Sequence, residues 1–391
     1  MFDSAFPESA MRSVVKHESL SIALLRRLVG RAEIQATLED YLGTGEEFQN
    51  NITFIEELIS SKKFDSSGTW LPKGRSIEKA FLFDIVANDN DSIDVDKFDY
   101  LIRDSICAGV PIPFGKSNLE RLMENARVLP DPRRGFPRIC YAKKVADIIL
   151  FVCESRQILH NLVYQHRVVV VIQAMLIKAL MLADAHLHYM GDDGVPYSLS
   201  AVTQNLEAFL KTSDAILRDI TISTSPGMLK AQEILRNIES RNIPKKLEHV
   251  ECGPSYVAPL NLMNGGSNKG LDELQRCVSQ ELAKTIGEDF QEESVMILAR
   301  EIHRGLDGRS HPMTRVLLYD NKSNGDVVAR YVDEEWLRLK VPEEAAIWSI
   351  GLYVDRSLSN KQRSQLCEAF NLVVTRSGFR MPNIQRRSLS P

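Results

Sequence analysis

Apolar side chains recur every three or four positions through most of the first 243 residues of the chain. This spacing places the apolar side chains on one face of an α-helix, where they can pack into a core. The predicted helices cover residues 19–28, 46–60, 76–85, 94–107, 144–189, 198–223 and 228–241. The run over 144–189 is predicted to be two helices that meet near Gln165. Residues 1–243 are therefore predicted to form a mainly α-helical core.

Residues 244–267 separate this helical core from the rest of the chain. They contain Pro254, Pro259 and most of a run rich in Gly and Asn. Such residues interrupt regular secondary structure. We therefore predict a linker over residues 244–267.

The last third of the chain mixes strand and helix patterns. Alternation of apolar and polar residues predicts strands over residues 314–319, 327–332 and 348–354, with NKSNG as a hairpin-like turn between the first two. A closing helix is predicted over residues 358–377. We expect a smaller α+β lobe over residues 268–382 and a disordered basic tail over residues 383–391.

The most apolar stretch of the chain, VVVVIQAMLIKALMLA, covers residues 168–183. It is shorter than the ~20 apolar residues that a membrane span needs, and it contains Gln173 and Lys178. We therefore predict a buried core helix and no membrane association.

Composition narrows the functional classes. The net charge of −4 argues against an overall basic nucleic-acid-binding protein, although local basic patches stay possible. The six cysteines form no CxxC pair, and no basic segment followed by an apolar stretch opens the chain. We therefore expect reduced cysteines and an intracellular protein, in the nucleus or the cytoplasm. The sequence contains no P-loop, Rossmann glycine motif or hydrolase nucleophile elbow.

Two helical stripes carry side chains suited to nucleotide chemistry. Asp96, Tyr100 and Asp104 lie four residues apart, and Lys97 borders the same face. A carboxylate, a lysine and a phenol on one stripe can handle a metal ion, a phosphate and a sugar hydroxyl. The alternative is a charged, solvated helix face.

A second stripe consists of Arg156, His160 and Tyr164, again with a spacing of four, and Gln165 follows it. A guanidinium, an imidazole and a phenol on one face suit phosphate binding and acid–base work. The alternative is a core helix whose polar groups are satisfied by their neighbours.

Two other polar sets are less specific. The basic set can surround a polyanion or can be scattered surface charge, and it consists of Arg138, Lys143, Lys144, His166, Arg167, Arg241 and Lys245. The acidic and histidine set lies at a helix end without a second cluster to complete a metal site, and it consists of Asp184, His186, His188, Asp192 and Asp193.

The order of several motifs resembles one known family. The motifs are MFD at the start, KHE at residues 16–18, IDVDKFDYLIRD at 93–104, RIC at 138–140, LHNLVYQHRV at 159–168 and EILRNIESRN at 233–242. Together they resemble the eukaryotic SAM-and-HD-domain deoxynucleoside triphosphate triphosphohydrolases of the HD superfamily. The resemblance covers most of the chain and is faint after about Gly253.

This resemblance implies a mainly α, HD-domain-like core followed by a smaller α+β lobe, and hydrolysis of a dNTP to a deoxynucleoside and triphosphate. It also implies the site residues. Asp96 is the expected metal ligand, and His17 is the expected active-site histidine near the phosphates. The expected substrate contacts are Lys97, Tyr100 and Arg156 for the triphosphate, Asp104 for the sugar 3′-hydroxyl, and Tyr164 with Gln165 beside the deoxyribose.

The resemblance further implies activation by GTP and dNTPs that bind between subunits of a homo-oligomer, a dimer or a tetramer. The expected effector contacts are Arg121, Lys144, His166 and Arg167 for a dNTP, and Arg241 and Lys245 for a guanine nucleotide. Ala142 departs from the family pattern, because it stands where the family has a basic residue. This puts full activation in doubt.

The family also binds a divalent metal ion, which the sequence does not identify among Zn, Fe, Mn and Mg. The family's H…HD ligands lie upstream of its MFD motif, and this chain begins at MFD. Because a lone Asp96 cannot hold a catalytic metal, we expect this chain to be inactive as a truncated enzyme. The alternative is a nucleotide-binding pseudoenzyme that assembles with a full-length relative or regulates it.

Overall fold

The structure is a computed structural model that describes residues 17–253, 267–287, 292–306, 310–320 and 327–376. Helices dominate the first part of the chain. Its α-helices are α1 His17–Val29, α2 Ala32–Leu42, α3 Gly45–Ser60, α4 Phe83–Val86, α5 Val95–Ala108, α6 Lys116–Glu124, α7 Ala146–Leu159, α8 Arg167–Ala183, α9 Leu206–Leu210, α10 Ile216–Ile222 and α11 Leu229–Glu239. The later part contributes α12 Ser267–Ile286, α13 Glu334–Lys340 and α14 Asn360–Arg376.

Small sheets complete the fold. The strands are β1 Ala126–Pro130, β2 Pro137–Ala142, β3 His188–Met190, β4 Pro196–Ser198, β5 Lys245–Cys252, β6 Val295–His303, β7 Leu317–Tyr319, β8 Ala329–Tyr331 and β9 Ala346–Val354. They form a four-stranded sheet in the order β1-β2-β7-β8, the hairpin β3-β4, and a three-stranded sheet in the order β5-β9-β6. In this last sheet, both edge strands run antiparallel to β9.

The chain divides into two compact units. The first unit consists of the described residues of Met1–Asn88, Phe136–Arg138 and Ile172–Asn242. Its helices α1 and α3 pack around Val29, Phe48 and Ile52. Elsewhere in this unit, the end of α8 and the helices α10 and α11 bury Ala179, Ile220 and other apolar residues in a second cluster. The hairpin β3-β4 also belongs to this unit.

The second unit consists of the described residues of Asp89–Gly135, Ile139–Val171 and Ile243–Pro391. One core of this unit joins α5, α6 and α7 to strands β7 and β8 through residues such as Leu101, Ile149 and Leu317. The other core lies between the sheet β5-β9-β6 and the helices α12 and α14, where Ile350 and Phe370 are fully buried.

These elements confirm the predicted fold class, a mainly α, HD-domain-like core with a smaller α+β lobe. Strands β7, β8 and β9 match the predicted strands, while the NKSNG turn lies outside the described residues. Two predicted helices are shorter than expected. Residues 77–82 form a 3₁₀ helix before α4, and residues 198–223 are broken into α9 and α10 because Asn205 caps a new helix start.

The predicted linker over residues 244–267 is wrong for its first part. Residues 245–252 form strand β5, which pairs with β9 along its length. The many charged residues of β5 hid the strand in the sequence, but charged side chains are common on the exposed edge of a sheet. The division into units also differs from a cut near residue 244, because residues 243–391 group with residues 89–135 and 139–171.

Helix α8 is only partly the buried core helix that the sequence predicts. Val171, Met175 and Ala179 are buried, whereas Val169 and Met181 are 43% exposed. The segment Arg167–His186 is long and apolar enough to cross a membrane by length and composition, and 28% of its most apolar window is buried. One such helix is weak support for a membrane span, because core helices of soluble proteins have the same length and composition.

Candidate functional site

Helix α5 presents the first predicted stripe. The carboxylate of Asp94 caps the helix by accepting a hydrogen bond of 3.2 Å from the backbone N–H of Lys97, and Gly109 ends the helix at a φ of 64°. Phe98 and Leu101 are buried on the core side of the helix. The cap and the core therefore fix the register that holds Asp96, Tyr100 and Asp104 at successive turns.

The second stripe begins on α7 and continues into a wider turn. Residues His160–Tyr164 form a π-helical turn, which closes with a hydrogen bond of 2.8 Å from the N–H of Gln165 to the carbonyl of His160. A π turn inserts an extra residue into the helical repeat and often marks a functional site. Here it separates α7 from α8 at the point where the sequence predicts two helices to meet.

The structure brings the two stripes together within the second unit. The hydroxyl of Tyr164 donates to Oδ2 of Asp104 at 2.6 Å, across 60 residues of sequence. The guanidinium of Arg156 lies beside the hydroxyl of Tyr100. The rings of Tyr100 and Tyr164 meet edge to face, with centroids 6.2 Å apart. The two stripes therefore meet in one cluster, and the role of this cluster as a binding site stays a prediction.

Two largely buried cations lie at this site beside its carboxylates. Lys97 is 8% exposed, and its Nζ lies 3.5 Å from Oδ1 of Asp94. Burial lowers the pKa of Arg156, but a guanidinium remains charged at any physiological pH. Burial also lowers the pKa of His160 to about 3, together with the positive charge of Arg156. At neutral pH the site therefore combines two cations with an uncharged imidazole.

The phenols of the site are held in their neutral form. Burial raises the pKa of Tyr164, and its hydrogen bond to Asp104 raises the pKa further. Burial likewise raises the pKa of Tyr100. Both hydroxyls can therefore donate hydrogen bonds at physiological pH.

Asp96 is the predicted metal ligand. It lies exposed on the first turn of α5, and no hydrogen bond or ion pair joins it to another described side chain. Among the described residues, no group of three or more His, Cys, Asp or Glu side chains is arranged to hold a metal ion. A catalytic transition metal needs several converging ligands. The residues that the structure describes do not fit the metal that the family resemblance implies.

The acidic and histidine set serves the hairpin β3-β4 and its surroundings. Asp184 accepts hydrogen bonds from the N–H and the hydroxyl of Ser200. Asp193 accepts from the hydroxyl of Tyr197 at 2.7 Å and from the N–H of Val195 at 3.0 Å. These carboxylates therefore stabilise local turns.

The predicted basic residues lie on several elements of both units. Arg138 is buried in the first unit, with Nε 3.9 Å from Oδ2 of Asp84, and Lys63 lies on the other carboxylate oxygen at 3.5 Å. Arg138 is therefore part of a buried ionic group and is not an exposed anion contact. The remaining predicted contacts stay exposed on separate elements. These are Arg121 on α6, Lys144 before α7, His166 and Arg167 at the start of α8, Arg241 after α11, and Lys245 on β5.

His17 lies at the start of α1 in the first unit, where its side chain is 75% exposed and Nε2 lies 3.4 Å from Oε1 of Glu18. Arg241 also belongs to the first unit, and the other predicted site residues belong to the second. The active-site role of His17 and the effector roles of the exposed basic residues stay predictions.

The sequence missed one part of the site, strand β6. The main-chain carbonyls of Glu301 and His303 accept hydrogen bonds from Gln165 and Arg156. Main-chain carbonyls carry no residue-specific signal, so a motif search cannot find them. The run VMILAREIH does contain enough β-branched and apolar residues to indicate a strand, and that signal was available.

No family model matches the chain. Comparison with curated proteins does find relatives. The chain is 29% identical over 370 residues to deoxynucleoside triphosphate triphosphohydrolase SAMHD1 from Mus musculus, which covers 90% of this chain and 53% of that protein. It is 35% identical over 250 residues to the same-named protein from Bos taurus, which covers 63% of this chain and 41% of that protein.

The chain is thus similar to deoxynucleoside triphosphate triphosphohydrolases. A SAMHD1 homolog from Dictyostelium discoideum shares 32% identity over 234 residues, so the similarity extends beyond vertebrates. These relatives support the family that the motifs indicate. The chain spans 53% of the mouse relative and 38% of the Dictyostelium relative. The activity, substrates and partners of such whole proteins therefore come to this chain only as proposals.

Proposed function

We propose that this chain carries the deoxynucleotide-binding part of a dNTP triphosphohydrolase. The reaction converts a dNTP and water to a deoxynucleoside and inorganic triphosphate. The observation that carries the proposal is the hydrogen bond between Tyr164 and Asp104, with Arg156 and Lys97 beside it. A site for a deoxynucleotide needs cations for the phosphates and a polar, sterically defined wall for the sugar.

The triphosphate end of the ligand is assigned to Lys97 and Arg156. Their charges are partly desolvated, which strengthens their attraction for phosphate relative to exposed cations. Arg156 can offer a planar pair of N–H groups, and Lys97 offers a compact charge. Tyr100 lies beside Arg156 and so orients the guanidinium toward the same region.

The sugar end is assigned to Asp104, Tyr164 and Gln165. Asp104 can accept a hydrogen bond from a 3′-hydroxyl while it also accepts the one from Tyr164. The Tyr164 ring is held between Tyr100 and His160, with centroid distances of 6.2 Å and 5.0 Å. A ring fixed in this way can exclude the additional 2′-hydroxyl of a ribonucleotide.

In this proposal, the described residues bind the nucleotide but do not form the metal site that hydrolysis needs. The described residues offer one exposed carboxylate, Asp96, where a metal would bind, so we expect the chain by itself to bind nucleotide without hydrolysing it. The second candidate function follows from the same observation. It is a nucleotide-binding pseudoenzyme that assembles with a full-length relative, as a dimer or tetramer, under the control of GTP and dNTPs, in the nucleus or the cytoplasm.

The test has two parts on one preparation. The first is calorimetric binding of a non-hydrolysable dGTP analogue, for which saturable binding by the wild-type chain and at least about tenfold weaker binding by Arg156→Ala are expected. The second is triphosphate release from dGTP with GTP and a divalent metal present, compared with Asp96→Ala. Equal rates for the two proteins are expected. Release above the Asp96→Ala control would mean that this chain completes a catalytic site, and absence of binding would overturn the proposal.

The two candidate functions are distinguished by assembly. If the exposed basic residues bind an effector, reversing their charge abolishes nucleotide-dependent assembly, measured by light scattering with GTP and dATP. The residues to reverse are Arg121, Lys144, His166 and Arg167. Unchanged assembly in that variant would remove the regulator from consideration.

A further inference from the structure

Strand β6 holds the turn that follows Tyr164. The guanidinium of Arg300 donates a hydrogen bond to the main-chain carbonyl of Gln165. In the reverse direction, the side-chain amide of Gln165 donates to the main-chain carbonyl of Glu301 at 2.9 Å. Two adjacent residues of β6 therefore bind the main chain and the side chain of one residue.

These two hydrogen bonds act at a helix end, where the main chain lacks partners within the helix. The π turn His160–Tyr164 ends at Gln165, whose φ of −115° and ψ of 25° depart from helical values. Carbonyl groups at a helix end have no partner inside the helix and need one from elsewhere. Arg300 supplies that partner to the residue directly after Tyr164.

The strand that carries Arg300 is itself firmly placed. All nine residues of β6 pair with β9, and Arg300 lies opposite Ser349. Its side chain is 19% exposed and also approaches Glu251 of β5, with Nη2 3.5 Å from Oε1. The position of the guanidinium is therefore set by a sheet and not by a flexible loop.

We infer that Arg300 is a positioning residue that sets sugar discrimination at Tyr164. This inference rests on the proposed function, in which the Tyr164 ring excludes a 2′-hydroxyl. A steric gate can reject one extra hydroxyl only if it is held to a fraction of an ångström, because a small displacement of the ring makes room for the group. The hydrogen bond of Tyr164 to Asp104 fixes the outer end of the side chain, and Arg300 fixes the main chain beneath it.

The experiment measures the ratio of dissociation constants for non-hydrolysable CTP and dCTP analogues with the full chain, because GTP is expected to bind the effector contacts Arg241 and Lys245. The wild-type chain is expected to favour the deoxynucleotide. In Arg300→Ala, the ratio is expected to fall by about tenfold, because the ribonucleotide gains affinity relative to the deoxynucleotide. Arg300→Lys retains one donor and is expected to recover part of the ratio.

Two variants control for other contributions. Glu251→Gln removes the ion pair of Arg300 but leaves its bond to Gln165, and it is expected to keep the wild-type ratio. Arg338→Ala removes an exposed arginine of α13, which is paired only with Glu334 among the described residues, and should also keep it. Melting curves establish that each variant is folded.

The outcomes separate this inference from the proposed function. A merely structural role for Arg300 would weaken both analogues equally, so an unchanged ratio in a folded Arg300→Ala variant would overturn the inference while the proposed function stands. If the wild-type chain binds neither analogue, the proposed function fails, and the inference fails with it.

Discussion

Two acidic segments of this chain have similar composition and different structural roles. On α5, Asp104 is bound by Tyr164 from a distance of 60 residues in sequence. Near the hairpin β3-β4, Asp193 is bound by Tyr197 at four residues and by the N–H of Val195 at two. The first carboxylate joins two elements of the core, and the second closes a turn on itself.

This difference separates a binding site from a structural turn better than residue type does. Asp and Asn in turns commonly bond their own neighbouring main chain, which leaves little capacity for a ligand. Asp104 also accepts a hydrogen bond from Arg103 at 2.6 Å, but its bond to Tyr164 ties it to a distant element, and a carboxylate with two partners retains further acceptor capacity. Substitution of matching residues in the two segments therefore tests this difference.

The largest contrast is expected for the two lysines. Lys97→Met keeps the length of a buried side chain but removes its charge, so it is expected to weaken binding of the dGTP analogue by about tenfold to a hundredfold. Lys211→Met serves as the matched control, because the Lys211 ammonium donates to the carbonyl of Met190 in the hairpin at 2.7 Å and lies 3.9 Å from the Glu207 carboxylate. Calorimetry should show that Lys211→Met binds the dGTP analogue with unchanged affinity. A loss of affinity as large as that of Lys97→Met would contradict the contrast.

A smaller contrast is expected for the two carboxylates. Asp104→Asn retains the size of the side chain and loses a charged acceptor for the sugar hydroxyl and for Tyr164, so a loss of affinity of about tenfold is expected. Asp193→Asn weakens a turn and is expected to lower the melting temperature by a few degrees at most. If Asp193→Asn reduces nucleotide affinity as much as Asp104→Asn does, the distinction between site and turn is lost.

The smallest effect is expected for His160, in the dependence of the melting temperature on pH below about 6.5. The pKa of His160 is about 3 in the folded protein, against about 6.5 in the unfolded chain. The unfolded state therefore takes up a proton between these pH values that the folded state refuses, and the stability present above pH ~6.5 decreases as the pH falls. His160→Gln is expected to make the decline in melting temperature between pH 6.5 and 4 less steep.

His311, whose pKa burial lowers to about 4, contributes to the same decline in both proteins and does not affect the comparison. The matched control is His188→Gln at the hairpin, where the side chain is exposed. If the melting temperatures of wild type and His160→Gln decline in parallel with pH, the imidazole of His160 is not shielded from protonation in the folded protein.

Local spacing predicted much of the fold and part of the site. The helices that carry Asp96, Tyr100 and Asp104, and Arg156 with its neighbours, follow from periodicity because a helix repeats within a few residues. Strand β9 followed from its alternating, apolar sequence. Strand β5 was assigned to a linker because its pattern KKLEHVEC is mostly polar, although Val250 is buried against the sheet's helices.

Local sequence was enough to indicate which side chains share each helical face, and that cations, carboxylates and phenols occur at intervals suited to a nucleotide. Only the tertiary structure decided that Tyr164 reaches Asp104, that Arg138 is buried in an ionic group, and that the carbonyls of β6 hold Arg156 and Gln165. The physical reason is the range of the interactions. Helix periodicity and capping act over a few residues, whereas these contacts depend on packing between segments that are 50 to 150 residues apart.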